Sequence, residues 1–168
     1  AAHAAGLVHR DFKPENVMVG PAERGQISSV KVMDFGLARG TSSLLSTQRE
    51  HQGPASTLSN TTQRARWAGT PAYMAPEQLE GGTIDARCDQ FSFCVTAYEA
   101  LCGRRPFLGN DLGELHRSMK RPPPAPSNTD APRRITDAIL PGLAHDPDAR
   151  FATRSALLHA MQRDPWAH

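Results

Sequence analysis

The stretch HRDFKPEN, from His9 to Asn16, decides the fold because it gathers three different functional groups in one short loop. Asp11 offers a carboxylate that can act as a general base, and Lys13 offers an ammonium group that can neutralise phosphate charge. Asn16 adds an amide oxygen of the kind that binds magnesium. Alone, these residues could equally form a surface ion pair beside a turn cap, so a functional interpretation depends on other motifs in the right order.

Two further motifs follow along the chain. The tripeptide Asp-Phe-Gly at positions 34–36 comes directly after a short apolar run, and Ala-Pro-Glu occupies positions 75–77. In this order, H-R-D-x-K-x-x-N, D-F-G and A-P-E resemble the catalytic domain of bacterial, eukaryotic-like (Hanks-type) serine/threonine protein kinases. The resemblance covers essentially the whole chain, but only the second half of the family's domain.

The resemblance implies a protein-kinase-like α+β fold. The chain would be the mainly α-helical large (C-terminal) lobe with a small β element, and the N-terminal lobe would be absent. This partial catalytic domain, residues 1–168, would comprise a catalytic loop at 9–16, an activation segment at 34–77 and a helical subdomain at 85–168. The implied reaction is transfer of the ATP γ-phosphate to Ser/Thr hydroxyls of proteins.

The matched positions also imply a nucleotide and metal site. Asp11 would accept the proton of the substrate hydroxyl, and Lys13 would offset charge on the transferring phosphate. Asn16 and Asp34 would hold Mg²⁺, or Mn²⁺ in its place, on the phosphates of ATP. Met18 aligns with the apolar residue that floors the adenine in the family.

Other matches concern substrate docking and activation. Thr70, within the serine/threonine-type sequence GTPAYM, would hydrogen-bond Asp11 and Lys13 and shape the hydroxyl pocket; the alternative is an ordinary Gly-Thr-Pro turn. Arg10 would clamp a phosphate on the activation segment. Thr61 and Thr62 are the best-placed acceptors of that phosphate, although a Ser/Thr-rich loop can also be merely solvated.

Five matches are expected to be structural. His9 and Phe35 would stack in the hydrophobic spine that couples the two lobes. Asp89, at the start of a central helix, would hydrogen-bond the backbone of the catalytic loop, and it also suits a helix N-cap. Glu77 and Arg150 would form the family's long-range ion pair.

Hydrophobic patterns and turn residues predict the remaining organisation. Two short strands joined by a turn should bring Asn16 and Asp34 together, and Gly103 should end a helix that is buried on most sides. The predicted elements are strands at 17–19 and 29–33, a turn at 20–21, the end of a helix at 1–7, helices at 89–101, about 135–144 and about 153–163, and a proline-rich connector at 121–132.

Composition narrows the classes of partner. A net charge of +2 gives no reason to expect nucleic acid or an acidic membrane. Three cysteines without C-x-x-C spacing argue against a disulfide framework or a zinc site and fit a cytoplasmic location, with any membrane anchor outside the chain. No apolar run approaches the length of a membrane span. The histidines other than His9 show no metal-ligand spacing and receive no function.

The family's N-terminal motifs have no match in the chain. No G-x-G-x-x-G precedes the catalytic loop, and Lys31 lies in the wrong strand to be the family's nucleotide-binding lysine. The chain is therefore expected to be part of an active kinase whose partners are protein substrates and the missing N-terminal lobe. The alternative is a naturally truncated, non-catalytic binding or scaffold module. In either case Val17, Met18 and Phe35 should be exposed, which predicts a marginally stable or aggregation-prone chain.

Overall fold

The computed structural model of the protein describes residues 7–23, 25–34, 71–127 and 129–162. Within these ranges a small β element precedes a helical part. The helical segment predicted before Leu7 lies outside the described residues. The same holds for four predicted site residues: Phe35, Thr61, Thr62 and Thr70.

The β element consists of two antiparallel ladders on one hairpin. β1 (Val17–Val19) pairs with β4 (Val30–Val32), and nearer the tip β2 (Ala22–Glu23) pairs with β3 (Gln26–Ile27). Both predicted strands are therefore present. Val17 faces Val32 and Val19 faces Val30, so four valines share one side of the β1–β4 ladder.

The prediction of a turn at positions 20–21 is wrong. The Gly20 N–H donates to the Ser29 carbonyl at 2.8 Å, and the Ser28 N–H donates to the Pro21 carbonyl at 3.2 Å. These bonds continue the hairpin past the predicted turn. The chain instead reverses at Gly25, whose φ of +78° is a conformation that glycine adopts without steric cost.

The helical part contains five α-helices within the described residues. They are α1 (Pro76–Glu80), α2 (Ala86–Cys102), α3 (Leu112–Met119), α4 (Arg133–Gly142) and α5 (Arg154–Gln162). The helices predicted at about 135–144 and 153–163 are confirmed as α4 and α5, with bounds that differ by one or two residues. Helices α1 and α3 were not predicted.

The central helix α2 is longer than predicted. Asp85 caps its N-terminus by accepting a hydrogen bond from the Arg87 N–H at 2.8 Å, so the interpretation of Asp89 as the N-cap is wrong. Gly103 ends the helix in a left-handed conformation, as expected. The helix is buried on most sides, and α4 and α5 pack against it.

The core lies around α2. Phe91 of this helix stacks on Phe107, with ring centroids 5.8 Å apart, and both side chains are buried. Ile139 of α4 and Leu157 of α5 are also buried in this cluster. None of the helices in the described ranges has the length and apolar character needed to span a bilayer.

Candidate active site

The loop from His9 to Asn16, which the sequence predicts to be the catalytic loop, brings its three predicted functional groups into one cluster. Lys13 Nζ lies 2.9 Å from Asp11 Oδ2. The Asn16 side-chain amide donates to the Asp11 carbonyl oxygen at 2.7 Å and to Asp11 Oδ2 at 3.3 Å. The Asp11 side chain remains 36% exposed while Asn16 is buried. The carboxylate is thus held from two sides and still open to a reacting group.

A short 3₁₀ turn, Pro14–Asn16, produces this geometry. Its proline begins the turn without needing an N–H partner, and the Asn16 N–H donates to the Lys13 carbonyl at 3.0 Å. The turn folds Asn16 back towards Asp11, and the chain then enters β1 directly. The local sequence therefore positions Asn16 directly before the first residue of β1.

The β1–β4 pairing brings the second predicted metal ligand to the same end of the hairpin. The Met33 N–H donates to the Asn16 carbonyl at 2.8 Å, and Asp34 is the next residue along the chain. The Asp34 side chain is exposed and its φ is +51°, in the left-handed region that costs a non-glycine residue free energy. Asn16 and Asp34 thus offer hard oxygen atoms of the kind that magnesium prefers.

His9 links these two segments through both of its ring nitrogens. Nε2 lies 2.9 Å from the Met33 carbonyl oxygen, and Nδ1 lies 3.3 Å from the backbone N of Asp11. Because a carbonyl only accepts and an N–H only donates, the two bonds together assign the Nε2–H tautomer. The buried ring also meets Phe12 edge-on at 6.0 Å, and its expected partner Phe35 lies outside the described residues.

Asp89 holds the backbone of the catalytic loop from the central helix. Its two carboxylate oxygens accept hydrogen bonds from the N–H groups of His9 and Arg10, each at 2.7 Å. Arg10 has a φ of +66°, a conformation that a non-glycine residue keeps only where its surroundings hold it. These are the contacts that the resemblance implied for Asp89.

Gln78 is a positioning residue that the sequence did not reveal. Its side-chain oxygen accepts the Ala75 N–H at 3.0 Å, and its side-chain nitrogen donates to the Arg10 carbonyl at 2.8 Å. It therefore ties the catalytic loop to the chain entering α1. The sequence signal is weak: a glutamine three residues after the N-cap matches one half of a capping box, but Ala75 has no side-chain oxygen to form the other half.

The segment between Thr70 and α1 is fixed to the central helix. The Ser92 hydroxyl donates to the Tyr73 carbonyl at 2.7 Å, and the Tyr73 hydroxyl donates to Glu99 Oε2 at 2.6 Å. Burial and the neighbouring Glu99 carboxylate raise the pKa of the Tyr73 phenol far above its ordinary value. Tyr73 is therefore a neutral anchor for the chain that follows Thr70.

Glu77 and Arg150 form the ion pair expected from the resemblance. Two parallel bonds of 2.8 Å join the Arg150 guanidinium to both Glu77 oxygens. Arg150 also donates to the carbonyls of Ala144, Arg87 and His145, and its guanidinium lies 4.9 Å above the Phe91 ring. The pair thus connects α1 to the loop between α4 and α5 inside the core.

Met18 lies on β1 and is 54% exposed, so its surface is open to a ligand. Arg10 is exposed beside the catalytic loop. Thr61 and Thr62, expected to carry the phosphate that Arg10 clamps, lie outside the described residues. The same is true of Thr70, which is expected to hydrogen-bond Asp11 and Lys13.

A partly exposed carboxylate held by lysine and asparagine, with the carboxylate of Asp34 at the same end of the hairpin, offers groups of the kind that phosphoryl transfer uses. Comparison with known proteins agrees, because residues 1–162 match the family model of the protein kinase domain. The chain belongs to the protein kinase family. The kinase domain of PknI from Mycobacterium tuberculosis, solved as a double mutant, superposes with a TM-score of 0.57 at 24% identity, over 95% of this chain and 47% of that one. This likeness shows that the fold is the protein kinase fold.

Similar curated proteins include bacterial serine/threonine kinases. The chain is 38% identical over 165 residues to the serine/threonine-protein kinase Pkn1 of Myxococcus xanthus, which covers 96% of this chain and 22% of Pkn1. It is 37% identical over 172 residues to the serine/threonine-protein kinase PknA of Mycobacterium tuberculosis, which covers 98% of this chain and 35% of PknA. The chain thus spans between 22% and 35% of the length of these two relatives.

Proposed function

We propose that this chain supplies the large-lobe half of a serine/threonine protein kinase that transfers the γ-phosphate of ATP to protein hydroxyls. The supporting observation is the Asp11 carboxylate, held by Lys13 at 2.9 Å and by the buried Asn16 amide while still partly exposed. In this proposal residues 9–16 form the catalytic loop, 34–77 the activation segment and 85–168 the helical subdomain. Asp11 accepts the proton of the attacking hydroxyl, and Lys13 stabilises charge on the phosphoryl group.

ATP and a divalent cation fit the oxygen ligands at the hairpin end. Asn16 and Asp34 would hold Mg²⁺, or Mn²⁺, and the bound metal would neutralise charge on the phosphates. The exposed Met18 side chain, one residue beyond the start of β1, would cover one face of the adenine. The residues present therefore suit this nucleotide and metal pair.

Other parts of a kinase domain would cover the β element: an N-terminal lobe on the side of Met18, which also meets the adenine, and further helices on the side of the valines. Val19, Val30 and Val32 share one side of the ladder and are 58%, 59% and 38% exposed. Contiguous apolar surface of this kind is usually an interface. The three free cysteines support a cytoplasmic location, where thiols stay reduced.

Protein substrates fit a groove beside the segment that follows Thr70. The groove measures about 580 Å³ and lies between Pro71 and α3. Arg105 and Glu114 line it together with Leu108, so it offers both charge signs and apolar surface to an extended peptide. Phosphorylated Thr61 or Thr62 would pair with the exposed Arg10 and order the activation segment.

The test is a kinase assay on the complete gene product, with Asp11→Asn as the decisive variant. Loss of the base should lower kcat by about 10²–10⁴-fold, because the amide cannot accept the proton. Asp137→Asn, which changes an exposed aspartate of α4, is the matched control and should keep full activity. An Asp11→Asn variant as active as the control would contradict the assigned base. A wild-type protein that binds kinase substrates without phosphorylating them would favour a non-catalytic binding module.

A further inference from the structure

Two histidines and a glutamate that are distant in the sequence meet on the surface of the helical part. His116 Nε2 lies 2.6 Å from Glu80 Oε1, and His145 Nε2 lies 3.4 Å from the same oxygen. The two imidazole centroids are 5.8 Å apart, and one ligand atom from each of the three residues falls within 4.8 Å of the others. None of the three belongs to the proposed phosphoryl-transfer site.

We propose that Glu80, His116 and His145 form a zinc-binding site. Zinc is commonly bound by two imidazoles and one carboxylate at about 2.0–2.2 Å, which places tetrahedral ligand atoms about 3.3 Å apart. The separation between His145 and Glu80 already matches that value. The shorter contact between His116 and Glu80 would open slightly when the ion replaces the hydrogen bond. Magnesium prefers an all-oxygen octahedral shell, so the donor set selects against it.

One ring nitrogen of this cluster has no hydrogen-bond partner in the part of the chain that the structure describes. Among the described residues, Nε2 of His145 is buried and makes no hydrogen bond, although Glu80 Oε1 lies only 3.4 Å away. A buried polar atom without a partner costs free energy, and a metal ion is one way to satisfy it. The cluster as a whole remains reachable, since the three side chains are 27–42% exposed.

The backbone around the cluster is already fixed by the core. His145 and its neighbour Ala144 give their carbonyl oxygens to the Arg150 guanidinium, at 3.1 and 2.8 Å. Arg150 in turn binds Glu77, which lies in α1 one turn before Glu80. Glu80 and His145 therefore lie on either side of the Glu77–Arg150 ion pair, which holds their backbone in place. The loss of conformational entropy when zinc binds should be small for this reason.

The local charge also suits a cation. The Glu80 carboxylate contributes negative charge to the cluster, and the neutral form of each imidazole is the one that binds metal. Lys120 is exposed and opposes the cation by repulsion, so its replacement should tighten zinc binding.

The experiment is a zinc titration of metal-stripped protein, followed by isothermal calorimetry and thermal unfolding in excess Mg²⁺. We expect one zinc per chain and a rise in melting temperature on the order of 5 °C when zinc is about 100-fold above its Kd. Co²⁺ in place of zinc should give the visible absorption of a tetrahedral site. His116→Gln and Glu80→Gln should each weaken zinc binding by more than the ~10–100-fold that loss of a residue outside the ligand shell costs.

Two controls separate this site from other zinc ligands. His159→Gln removes an exposed histidine of α5 outside the cluster, and Asp34→Asn removes a ligand of the proposed magnesium site. Both should keep the zinc response. Loss of the response in Asp34→Asn, equal zinc affinity in His116→Gln and wild type, or no zinc binding at micromolar concentration would each overturn the proposal.

Discussion

At the scale of single residues, one buried arginine holds several parts of the molecule. Arg150 is fully buried, and its guanidinium donates to Glu77 and to three carbonyl oxygens. Charges are seldom buried without a partner, since desolvation costs several kcal/mol per ion. The energetic importance of Arg150 therefore depends on all of these acceptors being present together.

We predict that Arg150→Ala lowers the free energy of unfolding by about 3–5 kcal/mol, because Glu77 is left as a lone buried charge. Arg150→Lys should recover only part of this loss, since an ammonium cannot form the two parallel bonds. Urea titration measures the effect, with the exposed Arg134→Ala as control. A urea unfolding curve for Arg150→Ala that coincides with that of the control would contradict this prediction.

At the scale of elements, the contact between α4 and α2 depends on a position without a side chain. A Cβ atom added to Gly142 would lie 2.3 Å from Cys94 Sγ, well inside van der Waals contact. Cys94 is fully buried, and burial raises the pKa of its thiol to about 12, so it packs as a small neutral group. The end of α4 can approach α2 closely only because Gly142 leaves this space.

Gly142→Ala should therefore lower the free energy of unfolding by about 1–3 kcal/mol through overpacking. Chemical denaturation of the single variant measures this cost. The double variant Gly142→Ala with Cys94→Ala should restore part of the loss, because the smaller side chain makes room for the added methyl group. If the two substitutions prove additive, the close approach is not the cause.

The reactivity of the three cysteines of α2 in the folded protein offers a second measurement on this helix. Cys88 and Cys94 are buried, and burial raises the pKa of both thiols, whereas Cys102 is half-buried near the end of α2. The thiolate is the reactive form, so Cys102 should be labelled first at neutral pH. Equal labelling rates for all three cysteines would indicate that α2 opens readily.

At the scale of the whole molecule, the β element and the helical core differ in burial. The side chains of α2 are mostly buried, whereas Val19, Val30 and Val32 expose a continuous apolar side of the hairpin. Such a surface favours association when nothing covers it. This difference is the structural basis for expecting the 168-residue chain to self-associate.

The paired substitution Val19→Glu with Val30→Lys should reduce that self-association. The two residues face each other across the ladder, so opposite charges can pair while the strands keep their register. Static light scattering over a range of protein concentrations would measure the change in mass. Leu158→Lys, which adds a charge to an exposed position of α5 away from the hairpin, is the control and should leave self-association unchanged. A sharp melt from a wild-type monomer would argue against the association itself.

The sequence by itself determined the family, the grouping of Asp11, Lys13 and Asn16 and the three longest of the described helices. Asp11, Lys13 and Asn16 lie within one short loop, and Gly103 ends α2 through its own backbone preference, so local patterns sufficed. The resemblance also implied two long-range contacts, Glu77 with Arg150 and Asp89 with the loop at 9–16, but only the tertiary structure decided the other contacts between distant residues. Gln78 reaches Arg10 across 68 residues, and His116 reaches Glu80 across 36, contacts that no local spacing records. Such contacts follow from how helices pack, which depends on the shape and volume of the whole core rather than on neighbours in sequence.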